Sequence, residues 1–256
     1  MIRDIKGTQD FELSREKLAP YVTPYQEEEH KIINITPDMS ATDINNLIGS
    51  SYKDLKEYKS LTLQFADGSY NLDKALQLYN FRGYSWFYIQ GNMTENQGEL
   101  HSNQAVIINF TNKDDYGILI GNNRLVAIWV RNLKLNRLSN SNNNAVNSCV
   151  YVYKNNSTFV GIWGNHFTLQ DTYGYGVNVD ASTADVKYNY FTAGNSAIYA
   201  FRDAIVFSGT NQSLSTQPQY GLTTLSGGRI NKYPYQSQPQ GSVANENEGW
   251  GTGGIS

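Results

Sequence analysis

The sequence is poor in cysteine, in charge and in long apolar runs. Its one cysteine, Cys149, has no partner for a disulfide within the chain, and its position in "SCVYVYKN" predicts a small buried strand residue. Charged residues make up 17% of the chain, below the usual quarter or so. The net charge is −3 and there is no basic stripe, which argues against a nucleic-acid partner. No run approaches the ~18 apolar residues of a membrane-spanning helix. Residues 1–22 also lack the apolar core of a signal peptide, so we expect a soluble protein that is neither inserted in a membrane nor exported by an ordinary signal.

Motifs of metal and cofactor chemistry are missing as well. His30 is one of only 3 histidines, and no second His or Cys stands at ligand spacing from it. There is no Gly-rich phosphate loop and no nucleophile elbow. The sequence therefore predicts neither a metal nor a cofactor.

Asn, Ser, Gly and Tyr take the place of the missing charge, a composition typical of turns and strands. Residues 1–35 are polar and predict an irregular leader.

Residues 36–59 predict a helical region, in which Ser40 or Thr42 caps a helix. Ile44, Leu47 and Ile48 share one face of that helix. Gly49 is expected to end it, and a second short helix is predicted around residues 52–58.

Short alternating runs of apolar residues fill residues 60–209 and repeat one another. The first is "LTLQFADGSYNL", which predicts two short strands around a Gly turn. The later copies carry equivalent first-strand residues spaced by 32, 27 and 21 positions, and they are Ile118, Val150, Val177 and Ile198. The extra length of the first interval lies in the loop "SNSNNN". Repeats that change length only in loops indicate stacked coils.

Stacking explains why such short strands fold. Coils about 4.8 Å apart give each strand its hydrogen-bond partners and align the inward side chains. An exposed sheet edge at the end of the stack needs a cover, and the predicted helix lies where one is required. Residues 210–256 are rich in Gln, Ser and Gly, and we expect "GLTTLSGGRI" to form a last coil in an otherwise irregular tail.

The helix, "LQFADGSYNLDKALQLYN", "FVGIWGNHFTL" and "VKYNYFTA" together resemble pectin-lyase-like proteins over residues 36–209. The resemblance implies an all-β fold, a right-handed parallel β-helix with an N-terminal capping helix. With the leader and "FADGSYNL", the chain is most similar to bacteriophage tail fibres and tailspikes. This second resemblance implies a homotrimer in the virion, made in the host cytoplasm. That trimer binds a bacterial surface polysaccharide and contacts other tail or baseplate proteins through residues 1–35. A cell-surface adhesin is disfavoured by the missing signal peptide.

Some members of this fold cleave polysaccharides, so the alternative is a lyase or glycosidase. Asp180 and Asp203 are expected at comparable corners of successive coils, with Arg202 beside them. Two carboxylates that flank a glycan can act as acid and base. Corners also favour Asp for conformational reasons, and that explanation stays open.

Aromatic residues suggest a binding surface, because outward Trp and Tyr rings stack on sugars. Trp129 and Trp163 take similar places in two coils. The candidate glycan-binding residues are Trp129, Trp163, His166, Tyr173, Tyr175, Tyr188 and Tyr190. Packing between chains or over corners is the alternative.

"GIWGNHFTLQD" repeats as "VKYNYFTA", which aligns Asn165 with Asn189 and His166 with Tyr190. The Asn and the flanking apolar residues recur, whereas the histidine position varies. We therefore predict that His166 faces outward as a surface residue, and that it forms no catalytic pair with Asp171.

Overall fold

The computed structural model describes residues 30–57, 59–93, 100, 103–111, 116–138, 147–170, 174–249 and 253–256. In these ranges the protein is all-β with one helix, and its strands form three parallel sheets, here sheets A, B and C. Among the described residues, no helix is both long and apolar enough to cross a bilayer.

Sheet A is the longest and runs the length of the described chain. Its strands, in spatial order, are β1 (His30–Ile35), β2 (Ser60–Phe65), β5 (Trp86–Gln90), β8 (Ala127–Arg131), β11 (Phe159–Trp163), β14 (Thr183–Lys187), β17 (Ile205–Gly209), β20 (Arg229–Lys232) and β22 (Gly254–Ile255). Strands alternate between inward and outward residues, so every second residue lies on the outer surface of the sheet.

Sheet B has the shortest strands. They are β3 (Gly68–Leu72), β6 (Val106–Phe110), β9 (Lys134–Arg137), β12 (His166–Leu169), β15 (Tyr190–Thr192) and β18 (Gln212–Ser213). Its inward row includes Leu135, Phe167 and Phe191, and the two phenylalanine rings stack 5.0 Å apart.

Sheet C completes the fold. Its strands are β4 (Leu76–Tyr79), β7 (Tyr116–Gly121), β10 (Ser148–Tyr153), β13 (Tyr175–Asp180), β16 (Ser196–Phe201), β19 (Tyr220–Leu225) and β21 (Ala244–Glu248). From β2 onward the chain visits sheets A, B and C in turn up to β19, an order compatible with a parallel β-helix.

The register confirms the predicted repeat. Val150 pairs with Ile118 on one side and with Val177 on the other, and Val177 pairs with Ile198. All four are fully buried, as are most of the matching inward residues of sheets A and B. The spacing read from the sequence therefore identifies residues that stack in one continuous core.

Helix α1 (Ala41–Glu57) lies beside β4 and β2. Ser40 caps it as one of the two predicted candidates: its Oγ accepts a hydrogen bond from the Asp43 amide at 3.1 Å. The Asp43 carboxylate accepts one from the Ser40 amide at 3.1 Å, which completes a capping box. Ile44 and Ile48 are buried against the core, as the face pattern predicts.

Two boundaries differ from the sequence prediction. The helix continues through Gly49 to Glu57, so the two predicted helices are one, because an interior glycine costs a helix only about 1 kcal/mol. Residues 30–35 of the predicted leader form β1, which pairs with β2 along its full length. The rest of the leader lies outside the described residues.

The tail is also more regular than predicted. The expected last coil is present as β19 and β20. Strands β21 and β22 then continue sheets C and A, although the sequence predicts no regular structure there. Polar strands such as "ANENE" escape a search for alternating apolar residues, because backbone pairing and not burial holds them in the sheet.

Asparagine side chains bind the coils together at two buried corners. At one corner the backbone N–H of Asn165 donates to Asn189 Oδ1 at 2.9 Å, and the backbone N–H of Asn189 donates to Asn211 Oδ1 at 3.0 Å. At the other corner, the backbone N–H of Asn123 donates to Asn155 Oδ1 at 3.2 Å. Each asparagine thus satisfies a backbone group that the turn leaves without a strand partner.

One corner also repeats an unusual backbone conformation. Residues with φ between 44° and 68° follow one another from coil to coil, and they are Asn80, Asn122, Lys154, Ala181 and Arg202. Non-glycine residues tolerate this left-handed region at a cost. The corner geometry is therefore imposed by the stacking and not by local preference.

Candidate functional site

The outward surface of sheet A carries a continuous row of aromatic rings. This surface, here the aromatic face, consists of Trp86, Tyr88, Trp129, Phe159, Trp163 and, at the corner after β14, Tyr188. All six side chains are partly exposed. They project outward because the alternate residues of the same strands, such as Phe87 and Ile162, point into the core.

The rings contact one another across neighbouring strands. Tyr88 and Trp129 are stacked, with centroids 6.4 Å apart and planes at 16°. Trp129 and Trp163 meet edge to face at 4.7 Å, and Trp163 meets Tyr188 at 6.0 Å. Aromatic contacts of this kind fix ring orientation, so the face is an ordered surface and not a set of free side chains.

Gly161 makes the close packing at Trp129 possible. It pairs with Trp129 on the neighbouring strand, and a Cβ atom at this position would lie 2.5 Å from Trp129 Cε3. The indole therefore covers the space above the glycine. A side chain here would force the ring away from the sheet.

An ion pair borders the rings on the next strand. Asp185 Oδ2 accepts a hydrogen bond from Trp163 Nε1 at 3.1 Å and lies 3.2 Å from Lys187 Nζ. Burial raises the pKa of the Asp185 carboxyl, and the nearby Lys187 only partly offsets this effect. Burial lowers the pKa of Lys187, but the Tyr233 hydroxyl and the Asp185 carboxylate outweigh it, so the ammonium remains charged. This pair holds Trp163 in place.

A cavity of about 230 Å³ lies next to this ion pair. Its walls include Phe159, Asp185, Phe207 and Tyr233. The volume is below the roughly 300–1,000 Å³ of pockets for drug-sized ligands. It therefore suits one substituent of a larger ligand that lies along the face.

Three of the predicted glycan-binding residues meet here. Trp129 and Trp163 lie on adjacent strands of sheet A, and Tyr188 extends the row. Their places are similar but not equivalent, because Trp129 pairs with Gly161 and Trp163 pairs with Arg131. The two indoles are thus offset by two residues and contact each other.

The other predicted residues lie elsewhere. Tyr175 is on sheet C, where its ring stacks on Tyr199 at 4.5 Å, and Tyr190 is on sheet B. Tyr173 lies outside the described residues. Neighbouring positions in the sequence thus fall on different sheets, since the chain passes a corner between each strand and the next.

His166 pairs with Tyr190 as predicted, but it is not a surface residue. Only 6% of it is exposed, and its Nε2 lies 3.1 Å from Thr192 Oγ1 on the next strand. It belongs to the outward row of sheet B, and neighbouring side chains cover it. The sequence pattern gives the direction of a side chain but not what covers it. Asp171, the other member of the rejected catalytic pair, lies outside the described residues.

Asp180 and Arg202 form an ion pair, while Asp203 stands apart. Arg202 Nε donates to Asp180 Oδ1 at 2.7 Å, Arg202 Nη2 donates to Oδ2, and the Tyr151 hydroxyl donates to Oδ2 at 2.6 Å. Asp180 is 1% exposed, whereas Asp203 is exposed. Among the described residues no hydrogen bond joins the two carboxylates. The arrangement suits a structural clamp, because both Asp180 oxygens are already occupied.

Half of the aromatic face was not predicted from the sequence. Trp86, Tyr88 and Phe159 alternate with buried residues in "WFYIQ" and "FVGIW", so the period of two was available to find them. Asp185 and Lys187 carried no such signal, since a charged residue every second position is also typical of an ordinary solvated strand.

Within the described part of the chain, no group of three or more His, Cys, Asp or Glu side chains is placed to hold a metal ion. Comparisons of the chain with protein-family models, with curated proteins and with solved structures found no match.

Proposed function

We propose that the chain is a right-handed parallel β-helix of the pectin-lyase-like type. On this proposal it is a receptor-binding subunit of a bacteriophage tail fibre or tailspike that recognises a bacterial surface glycan. The parallel sheets and their A, B, C order support the fold. A right-handed path is the one that parallel crossovers almost always take.

The observation that carries the binding function is the aromatic face. Its rings extend over β5, β8, β11 and the corner after β14, and three strand spacings amount to about 15 Å. A linear row of partly exposed rings, bordered by an ion pair, matches a chain-like ligand whose units present alternating apolar and hydroxyl surfaces. A polysaccharide has this chemistry.

The assembly belongs to the same proposal. A homotrimer would place three aromatic faces on one particle, and multivalent attachment raises avidity without new contacts. Residues 1–35 would join other tail or baseplate proteins in the virion. Light scattering at micromolar concentration tests this arrangement, and a stable monomer contradicts it.

The binding function is tested with a panel of bacterial capsular polysaccharides and lipopolysaccharides. We expect the full chain to retain at least one of them, and Trp163→Ala to weaken that binding about tenfold or more, as the loss of a central aromatic anchor does. Tyr84→Ala is the matched control, because Tyr84 is 96% exposed and is not part of the aromatic face.

Two results would contradict the proposal. Retention of no polysaccharide by the wild-type protein rejects glycan recognition, and equal loss in Trp163→Ala and Tyr84→Ala rejects the aromatic face as its site. The same incubations report on the enzymatic alternative. Release of reducing ends or unsaturated products identifies a polysaccharide-degrading enzyme.

A further inference from the structure

Arg131 occupies the centre of the outward row that runs beside the aromatic rings. It is the last residue of β8, and it pairs with Gln90 on one neighbouring strand and with Trp163 on the other. Lys187 pairs with Trp163 one strand further on. The row therefore presents an arginine, an indole and a lysine on three successive strands.

A chain of side-chain hydrogen bonds fixes the orientation of this arginine. Arg131 Nε donates to Gln90 Oε1 at 2.8 Å, and Gln90 Nε2 donates to Gln64 Oε1 at 2.7 Å. Gln64 Nε2 in turn donates to the Gly91 carbonyl at 2.8 Å. The guanidinium carbon lies 4.5 Å from the centre of the Tyr88 ring. These contacts engage Nε and one face of the guanidinium, and among the described residues no hydrogen bond engages its two Nη groups.

No carboxylate balances the charge of Arg131 within the described residues. The ion pairs found there join Asp185 to Lys187, Asp180 to Arg202, and Glu246 to Lys232. Arg131 is only partly exposed, and burial lowers the pKa of its guanidinium, although an arginine still remains protonated in water. A positioned, partly desolvated cation that has no counterion in the described part of the chain favours an external anion.

The geometry points to Arg131 as the anion-binding residue of the aromatic face, and we infer that the glycan is acidic. Its planar fork matches the two oxygens of a uronic carboxylate or of a phosphate substituent. Trp163, the next residue in the row, is placed to stack on the sugar ring that carries this group. The inference rests on the proposed glycan-binding function and adds to it the charge of the ligand.

The test uses the full chain and matched pairs of polysaccharides. One set consists of glucuronate-containing capsular polysaccharides, each in native form and after its carboxylates have been reduced to primary alcohols. A second set consists of phosphate-bearing capsules before and after removal of phosphate. We expect the native form of one set to bind roughly 10- to 100-fold more tightly than its neutral counterpart, as for charge-assisted hydrogen bonds. The set that shows the difference identifies the anion.

Arg131→Gln should abolish this preference, so that the ratio of acidic to neutral binding falls to about one. Arg131→Lys should restore only part of it, because a lysine keeps the charge but not the fork. Arg229→Gln removes the same charge from an exposed position of sheet A and should leave the preference unchanged. The ratio of acidic to neutral binding is internal to each variant, so a change in the folded fraction does not affect it.

Each outcome has one consequence. Equal binding of acidic and neutral forms by the wild-type protein overturns the inference and leaves glycan recognition standing. A preference that survives in Arg131→Gln also overturns it. Retention of no polysaccharide of either kind removes the proposed function itself.

Discussion

Substitution of Asn165 by alanine should be among the most damaging single changes to stability in this protein. Asn165 is fully buried at the corner between β11 and β12. Its Oδ1 accepts a hydrogen bond from the Leu133 amide at 3.1 Å, and its Nδ2 donates to the Val130 carbonyl at 2.9 Å. The side chain therefore satisfies two backbone groups of the preceding coil at the point where its strands end.

The magnitude follows from what the alanine leaves behind. Leu133 and Val130 are both fully buried, so water does not replace the lost partners. Each unsatisfied buried group costs about 1–3 kcal/mol, and two of them cost about 2–6 kcal/mol in total. Asn189 repeats the contacts one coil later, with its Nδ2 on the Ile162 carbonyl at 2.8 Å. Asn189→Ala should therefore behave in the same way.

The control is an asparagine that also contacts the preceding coil but lies on the outward side. Asn109 is partly exposed, and its Nδ2 donates to Asn71 Oδ1 at 3.0 Å. Water can replace this contact, so Asn109→Ala should cost about 1 kcal/mol or less. Urea denaturation of the three variants measures the difference as a shift of midpoint at unchanged slope. A loss for Asn165→Ala no greater than that for Asn109→Ala would refute the role given to the buried asparagines.

Two further predictions concern the corner backbone and the cysteine. Ala181 has φ of 47°, so Ala181→Gly should stabilise the fold by about 0.5–1 kcal/mol in the same urea assay. The reason is that the relief of left-handed strain exceeds the entropy cost of glycine. Ala184→Gly, at a buried strand position, should destabilise the fold instead. Burial raises the pKa of Cys149 to about 12, so the native thiol should not react with Ellman's reagent at pH 8 and should react fully after unfolding in guanidinium. Rapid reaction of the folded protein, or a destabilised Ala181→Gly variant, would contradict these expectations.

The repeat was predictable because core residues and corner asparagines leave a mark in the sequence at every coil. Val150 and Val177 align by spacing alone, and they pair in the structure. Asn165 and Asn189 recur for the same reason, since each coil needs a side chain that satisfies its turn. A position that needs the same kind of residue in every coil produces a periodic pattern in the sequence. The polar strand β21 produces no such pattern, because its pairing requires only backbone groups.

The functional surface obeys no such constraint, and this is why only part of it was predicted. An outward position can hold any residue that water or a neighbour tolerates, so Trp129, Gly161 and Asp185 follow one another in a single row without any repeat in type. The packing of these residues depends on their partners across the strands. The indole of Trp129, for example, fits against the sheet only because Gly161 has no side chain. Arg131 and Lys187 are both cations in the same row, but among the described residues only Lys187 has a carboxylate beside it. Such relations are set by the register between coils, so an alignment of the repeats reveals them only when the outward rows are compared across strands as carefully as the inward ones.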